Sequence, residues 1–187
     1  EIKKFIESLG GKAIMTNSNH ERASDRCAEA LDIIEKNNKI KYDIVVMVQG
    51  DEPMVNSQMI TDSVQPLIND KEVKVTNLLG DIKTKEEFED KNCIKVVCDK
   101  DLNAIYFSRE PIPSLTKKKH EYMKKQICII PFRRDFLKQY LNMKPTFLEE
   151  IESIDMMRII ENGLKVKMVP TKFETFAVDT EKDLLKV

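Results

Sequence analysis

Six consecutive residues, Val48-Gln49-Gly50-Asp51-Glu52-Pro53, carry the strongest chemical signal in the sequence. They follow the Ile-Val-Val-Met-Val run at 44–48, so a glycine, two carboxylates and a proline leave the end of what reads as the most buried strand. In open α/β sheets ligands sit beyond the carboxyl ends of the strands. Gly50 admits a close backbone approach, and Pro53 fixes the exit of the chain. Asp51 can offer an oxygen to Mg²⁺, which takes one or two carboxylates together with substrate phosphates. The same residues also suit an Asx-type turn that ends a strand. Asp179 stands between the apolar run 176–178 and the last helix; it suits either a metal ligand or a helix N-cap, with Thr180 as the other cap. The stretch His20-Glu21-Arg22-Ala23-Ser24-Asp25-Arg26 gathers donors at a helix start, which makes either an anion site or a solvated charged loop. Asp155 falls four residues after Ile151 and four before Ile159. On such an apolar stripe a carboxylate is costly unless it is paired or faces a wet cleft. Arg109, after Tyr106-Phe107-Ser108, can meet either an acidic substrate or a surface carboxylate.

These residues need a scaffold, and the chain can supply one. It has 187 residues, 41% hydrophobic and 34% charged, with 31 Lys+Arg against 32 Asp+Glu, which fits one well-cored domain and argues against nucleic acid as partner. The longest apolar runs, 44–48 and 127–132, fall far short of a membrane helix. Cys27, Cys93, Cys98 and Cys128 form no Cys-x-x-Cys pair, and with only two histidines no zinc cage of usual spacing arises; reduced thiols are expected. Pattern predicts strands at 12–15, 43–48, 73–79, 94–98, 104–108, 127–132 and 166–169, and helices at 58–68, 135–142, 147–162 and 180–186, besides one that starts near Ala23. The run 43–48 is the pattern of a strand buried on both faces, which belongs to parallel sheets. The 94–108 segment, turning at 99–103, reads as antiparallel. The fold expected is α/β, three-layered, with a mainly parallel sheet and an antiparallel insertion.

Taken in order, the segments resemble the 3-deoxy-manno-octulosonate (Kdo) cytidylyltransferase family. The resemblance rests on Gly10-Gly11 leading to Met15-Thr16, 20–26 with Ala28-Glu29, 48–54, Tyr106-Phe107-Ser108-Arg109 with Ile112-Pro113, 145–158, and Val178-Asp179-Thr180 with Asp183-Leu184. It covers essentially the whole chain. It implies a nucleotidyltransferase-type fold and a Mg²⁺-dependent transfer of CMP from CTP to the anomeric hydroxyl of an acidic keto-deoxy sugar, with release of pyrophosphate. In the residues that match, Asp51 and Asp179 hold the metal and are catalytic, and Glu21, Ser24 and Arg26 lie by the nucleotide. Gln49, Arg109, Gln126 and Asp155 match positions that meet the sugar. The resemblance further implies a cytoplasmic homodimer serving lipopolysaccharide synthesis, with its dimer surface on the 94–132 insertion. Runners-up are an acylneuraminate-type cytidylyltransferase, a sugar-nucleotide glycosyltransferase and a non-catalytic nucleotide-sugar binding module.

Departures from the family pattern sharpen these expectations. Ala23 stands where the family has glycine, and Arg22 where it has serine. Gln126 and Ile130 match a histidine and a tyrosine, Asp155 a glutamate and Met156 a glutamine, which leads to the expectation of a differently substituted sugar. The chain opens at Glu1 inside a helical pattern, without the strand, basic triphosphate loop and helix that open the family. It is therefore expected to be a single cytidylyltransferase-like domain lacking its front, inactive on CTP by itself.

Overall fold

In the computed structural model, which describes residues 1–117, 123–178 and 180–185, the elements follow one another with few surprises in position. Helix α1 (Ile2–Ser8) buries no residue, whereas α2 (Ala23–Asn38) turns Ala28 and Leu31 inward. Strand β1 (Ile44–Val48) leads to α3 (Ser57–Asn69), whose N-cap Asn56 accepts the Met59 N–H at 3.1 Å. Next come β2 (Thr76–Asp81), α4 (Lys85–Glu89), β3 (Lys95–Cys98) and β4 (Ala104–Ser108). The chain returns in β5 (Lys124–Ile127) and β6 (Ile129–Arg133) and continues through α5 (Arg134–Leu141), α6 (Phe147–Glu152) and α7 (Asp155–Glu161). It closes with β7 (Lys167–Pro170) and α8 (Glu181–Leu184). All four cysteines are free thiols.

The sheet is mixed and largely antiparallel, which corrects the mainly parallel expectation. Five strands run in the order β4-β3-β5-β2-β7, and β1 pairs with β6. Among the described residues only β2 and β7 run parallel; β1/β6, β2/β5, β3/β4 and β3/β5 are antiparallel. Connection length explains the β3/β4 pair. Parallel partners need a long crossover, which β2 and β7 have, whereas β3 and β4 are joined by a tight turn in which Leu102 takes φ 58°. Asp99 closes that turn, accepting the Asp101 and Asn103 N–H groups at 2.9 and 2.8 Å. Nor is β1 the strand buried on both faces that its apolar run predicts, because an antiparallel partner covers it without closing over both sides. In β1 only Met47 is buried, and Val48 at the strand end is 38% exposed. No ladder forms at 12–15.

Strands β5 and β6 are one strand bent at Cys128. Along one flank lies β2, with Leu78 opposite Ile127 and Val75 bridged to Phe132. Along the other flank β3 meets β5 at Lys95 and Lys125, and β1 meets β6 from Val48 and Ile129 onward. The main core, which includes Phe107, Phe132, Tyr140 and Met157, lies on one face with α2, α5 and α7 packed against it. A smaller cluster of Met59, Leu78, Ile127 and Ile129 sits under α3 on the other.

The predicted helix 147–162 is two helices. Ser153 adopts φ 54° and ends α6, so Asp155 opens α7 rather than lying mid-stripe. Across this break Arg158 donates to the Glu149 carboxylate in a fork, Nε to Oε2 at 2.7 Å and Nη2 to Oε1 at 2.6 Å. Its guanidinium also stacks 4.6 Å from the centre of the Tyr140 ring. Glu149 is fully buried. Removing one partner of such a pair strands a charge in the interior, so Glu149→Ala is expected to lower the unfolding free energy by about 3–5 kcal/mol in urea titration. A second fork, Arg134 Nε and Nη2 to Glu35 at 2.7 Å each, ties α5 to α2. The Arg134 hydrogen bonds hold the Glu35 carboxyl at about 2, against an ordinary value of 4.5. A depressed folded-state value stabilises fully above 4.5, and that stabilisation is lost as pH falls toward 2. Thermal unfolding of Glu35→Gln is therefore expected to depend less on pH than that of the native chain between pH 5 and 3.

Candidate active site

The loop that leaves β1 is fastened to the bend in the β5–β6 strand. Gln49 donates its backbone N–H to the Cys128 carbonyl at 3.2 Å, and the Cys128 N–H donates to Glu52 Oε1 at 3.0 Å. At this bend a buried carboxylate three residues after Gln49 takes the amide proton. Glu52 is 6% exposed. The clasp sets Gln49 and Asp51 beside Gln126. A Cβ built on Gly50 meets nothing within 4 Å, so open space lies next to this loop.

These residues line a cavity of about 710 Å³. Its walls include Gln49, Asp51, Arg109 and Gln126, together with the strap 171–177 that follows β7. The strap is pinned at intervals. Thr171 N–H donates to Leu79 O at 2.9 Å, Glu174 pairs with Lys83, and Lys125 Nζ donates to Thr175 O at 2.7 Å. Lys125 also lies 5.5 Å from the Phe176 ring centre and pairs with Glu87 at 2.6 Å. At the end of the strap Val178 N–H donates to the Asp51 carbonyl at 2.9 Å. Asp179, the next residue, lies outside the described residues. Asp51 Oδ1 is buried without a hydrogen-bond partner among the described residues. A buried carboxylate oxygen in that state suits a cation. Among the described residues no group of three His, Cys, Asp or Glu side chains is placed to hold a metal alone.

Arg109 enters the cavity wall at the end of β4. Its Nε donates to Glu152 O at 2.8 Å and its Nη1 to Lys91 O at 3.0 Å, with Ser153 O 3.5 Å from Nη2. The Glu152 carboxylate is occupied instead by Ser108 Oγ and the Arg109 N–H, each at 2.9 Å, and by Tyr106 Oη at 3.1 Å. Among the described residues the guanidinium thus meets carbonyl oxygens rather than a carboxylate, and its charge remains available to an anion. Below it, Lys95 is fully buried, with Nζ donating to Asp90 O at 2.8 Å, Cys93 O at 2.6 Å and Arg109 O at 2.5 Å. Burial lowers its pKa, and burial likewise pushes the Cys93 thiol up to about 11. Sequence reasoning missed both Glu52 and Lys95 as fasteners. A lysine set within Ile94-Lys95-Val96-Val97 was the available signal for the second.

The remaining predicted residues form a separate group that does not line this cavity. Ser24, buried at the start of α2, donates to Asp155 Oδ2 at 2.9 Å, and Arg22 lies 3.4 Å from Oδ1. Burial raises the Asp155 pKa, with the Ser24 hydrogen bond and Arg22 opposing. Arg26 donates to Thr16 Oγ1 at 2.5 Å and Asn17 O at 3.1 Å, and Glu21 is exposed. His20 pairs with Glu29. The α6–α7 break joins the two groups, because Arg109 reaches Glu152 and Ser153 from the cavity while Arg22 Nη1 reaches Ser153 Oγ at 3.3 Å from α2. Ile130 and Met156, 2% and 0% exposed, belong to the core and do not line this cavity.

Comparison with known proteins shows the family of the chain. The family model for cytidylyltransferases matches residues 1–168. The 3-deoxy-manno-octulosonate cytidylyltransferase of Fusobacterium nucleatum is 39% identical over 186 residues, covering 100% of this chain and 74% of that protein. The enzyme of the same name from Geotalea uraniireducens is 38% identical over 197 residues, covering 100% of this chain and 76% of its own length. A solved structure of CMP:2-keto-3-deoxy-manno-octonic acid synthetase complexed with CTP superimposes with a TM-score of 0.86 at 30% identity, covering 99% of this chain and 74% of that one. A glucose-1-phosphate thymidylyltransferase from Bacillus anthracis, at TM-score 0.63 and 15% identity, shares the nucleotidyltransferase-like fold alone. With its family match over 1–168 and relatives this similar along its whole length, the chain belongs to the cytidylyltransferase family, as a homologue of the 3-deoxy-manno-octulosonate cytidylyltransferases.

Proposed function

We propose that this protein transfers CMP from CTP to the anomeric hydroxyl of an acidic keto-deoxy sugar of the Kdo type. The anomeric oxygen bonds to the α-phosphorus, the bond from that phosphorus to the bridging oxygen breaks, and pyrophosphate leaves with the electron pair while the hydroxyl proton passes to solvent. The observation that carries this reading is the Val178 N–H bond to the Asp51 carbonyl. It ties the chain just before Asp179 to the aspartate with an unpartnered buried oxygen. Asp51 and Asp179 would hold Mg²⁺. Bound there, the metal supplies charge neutralisation on the triphosphate and lowers the pKa of the attacking hydroxyl.

The chain's own residues do the rest by position. Arg109 receives the sugar carboxylate, its orientation locked by carbonyl partners so that little order is lost on binding. Gln49 and Gln126 border the sugar. Glu21, Ser24, Arg26 and Asp155 are assigned to the ligands by the resemblance; Asp155 reaches them only if Ser24 and Arg22 release its carboxylate. Of the four residues behind the expectation of a substituted sugar, only Gln126 lines the cavity, so that expectation rests on Gln126. The reaction is placed in the cytoplasm, in a homodimer formed through the 94–132 insertion, whose edge strand β4 presents Ile105 at 55% exposure. No helix among the described residues is long and apolar enough to cross a membrane.

Two measurements test the reading. In the full-length protein, assayed with CTP, Mg²⁺ and Kdo, Asp51→Ala is expected to slow pyrophosphate release at least about a hundredfold, since a lost metal ligand forfeits several kcal/mol of charge stabilisation; native-like release would overturn the assignment. Arg109→Met is expected to raise KM for the sugar roughly tenfold or more while leaving KM for CTP unchanged. An equal rise in both would move Arg109 away from the sugar.

A further inference from the structure

Asn77 lies in the middle of β2 and is fully buried. An asparagine there is costly unless every polar atom is matched. Its Nδ2 donates to two backbone carbonyls, Leu78 O at 3.0 Å and Ile127 O at 2.7 Å. Carbonyl oxygens only accept, so the amide orientation of Asn77 admits no flip, and Oδ1 is necessarily an acceptor. That oxygen takes the Gln126 Nε2–H at 2.5 Å. The orientation of Gln126 follows from that of Asn77: its nitrogen is turned to the strand, and Oε1 and one N–H remain. Neither has a partner among the described residues, and Gln126 lines the cavity. One acceptor beside one donor is the complement of a hydroxyl group, which gives one hydrogen bond and takes another. An ammonium group would use only the oxygen, and a deoxy position would leave both unpaired.

We infer that Asn77 is a positioning residue for hydroxyl recognition: by fixing the amide of Gln126, it makes the chain select a sugar with a hydroxyl at this subsite. This rests on the CMP transfer proposed above and adds the residue that orients its sugar contact. Asn77 touches no ligand, so its effect must pass entirely through Gln126.

The test is a double-substitution cycle read by sugar kinetics, joined to a side-chain amide measurement. Asn77→Ala and Gln126→Ala should each raise KM for Kdo roughly three- to tenfold with KM for CTP unchanged, the range expected for one lost hydrogen bond pair. The double substitution should be no worse than Gln126→Ala alone. Additive effects on KM would show that Asn77 acts on the fold and would overturn the role. If Asn77→Ala does not fold, the native chain decides. In its NMR spectrum the side-chain amide of Gln126, assigned by its loss in Gln126→Ala, should show one proton protected from exchange and should shift on titration with Kdo. Two rapidly exchanging protons, or no shift at saturating Kdo, would overturn the role while leaving CMP transfer standing. Absence of Kdo binding by the native chain and of turnover by the full-length protein would overturn both.

Discussion

The peptide of Cys128 is gripped on both sides by one four-residue loop, and the arrangement of the sheet and the cavity depends on that grip. The strand that contains it serves β2 and β3 on one side of the bend and β1 on the other. A straight strand would offer its ladder to one neighbour on each flank; the bend lets β1 and β3 share a flank. Bending removes the ladder partners of one peptide. Gln49 N–H and the Glu52 carboxylate replace them, at 3.2 and 3.0 Å. Burying Glu52 is unfavourable, and the hydrogen bond it accepts from the Cys128 amide offsets part of that cost. Because Asp51 lies between the two gripping residues, the sheet's geometry is also the geometry of the proposed metal site.

Two buried charges secure the opposite wall by the same principle. Lys95 holds three carbonyls, including that of Arg109, and Arg158 spans the α6–α7 break to Glu149. The break itself supplies Glu152 and Ser153 carbonyls to Arg109 and the Ser153 hydroxyl to Arg22. Charges fixed this way tolerate little displacement, which suits a reaction that asks the protein mainly to hold a sugar acid and a triphosphate in line. The cavity therefore has a rigid side built on β3, β4 and the helix break, and a strap, 171–178, fastened across the other by Lys83, Lys125 and Asp51.

Local patterns in the sequence disclosed what local chemistry determines. The 48–53 motif was legible because an apolar run must end where Gly50 and Pro53 end it, and Arg109 because it closes a strand. The 94–108 hairpin was legible from its Asp99 turn. Partnering was not: the run at 44–48 settles neither the direction of β1 nor, apart from Met47, its full burial, so the largely antiparallel sheet was hidden. The helix break at Ser153 was hidden as well, since Ile151, Asp155 and Ile159 keep helical spacing straight across it. Asp155 looked like a costly carboxylate awaiting a ligand, and it already has Ser24 and Arg22, more than a hundred residues earlier in the chain. Glu52, Lys95 and Asn77 escaped for one reason. Each is defined by a carbonyl or amide on a distant strand, and no spacing in the sequence announces such a partner.

The most direct test of this account separates the grip on Cys128 from the carboxylate it positions. Glu52→Ala removes the acceptor of the Cys128 amide, whereas Glu52→Gln keeps an oxygen there. Amide exchange at Cys128 and the affinity for Mn²⁺ with CTP, followed by paramagnetic resonance, can be measured on the same samples. The account predicts that in Glu52→Ala exchange accelerates and Mn²⁺ affinity falls roughly tenfold together, while Glu52→Gln changes both far less. Faster exchange at Cys128 with Mn²⁺ affinity unchanged would contradict it.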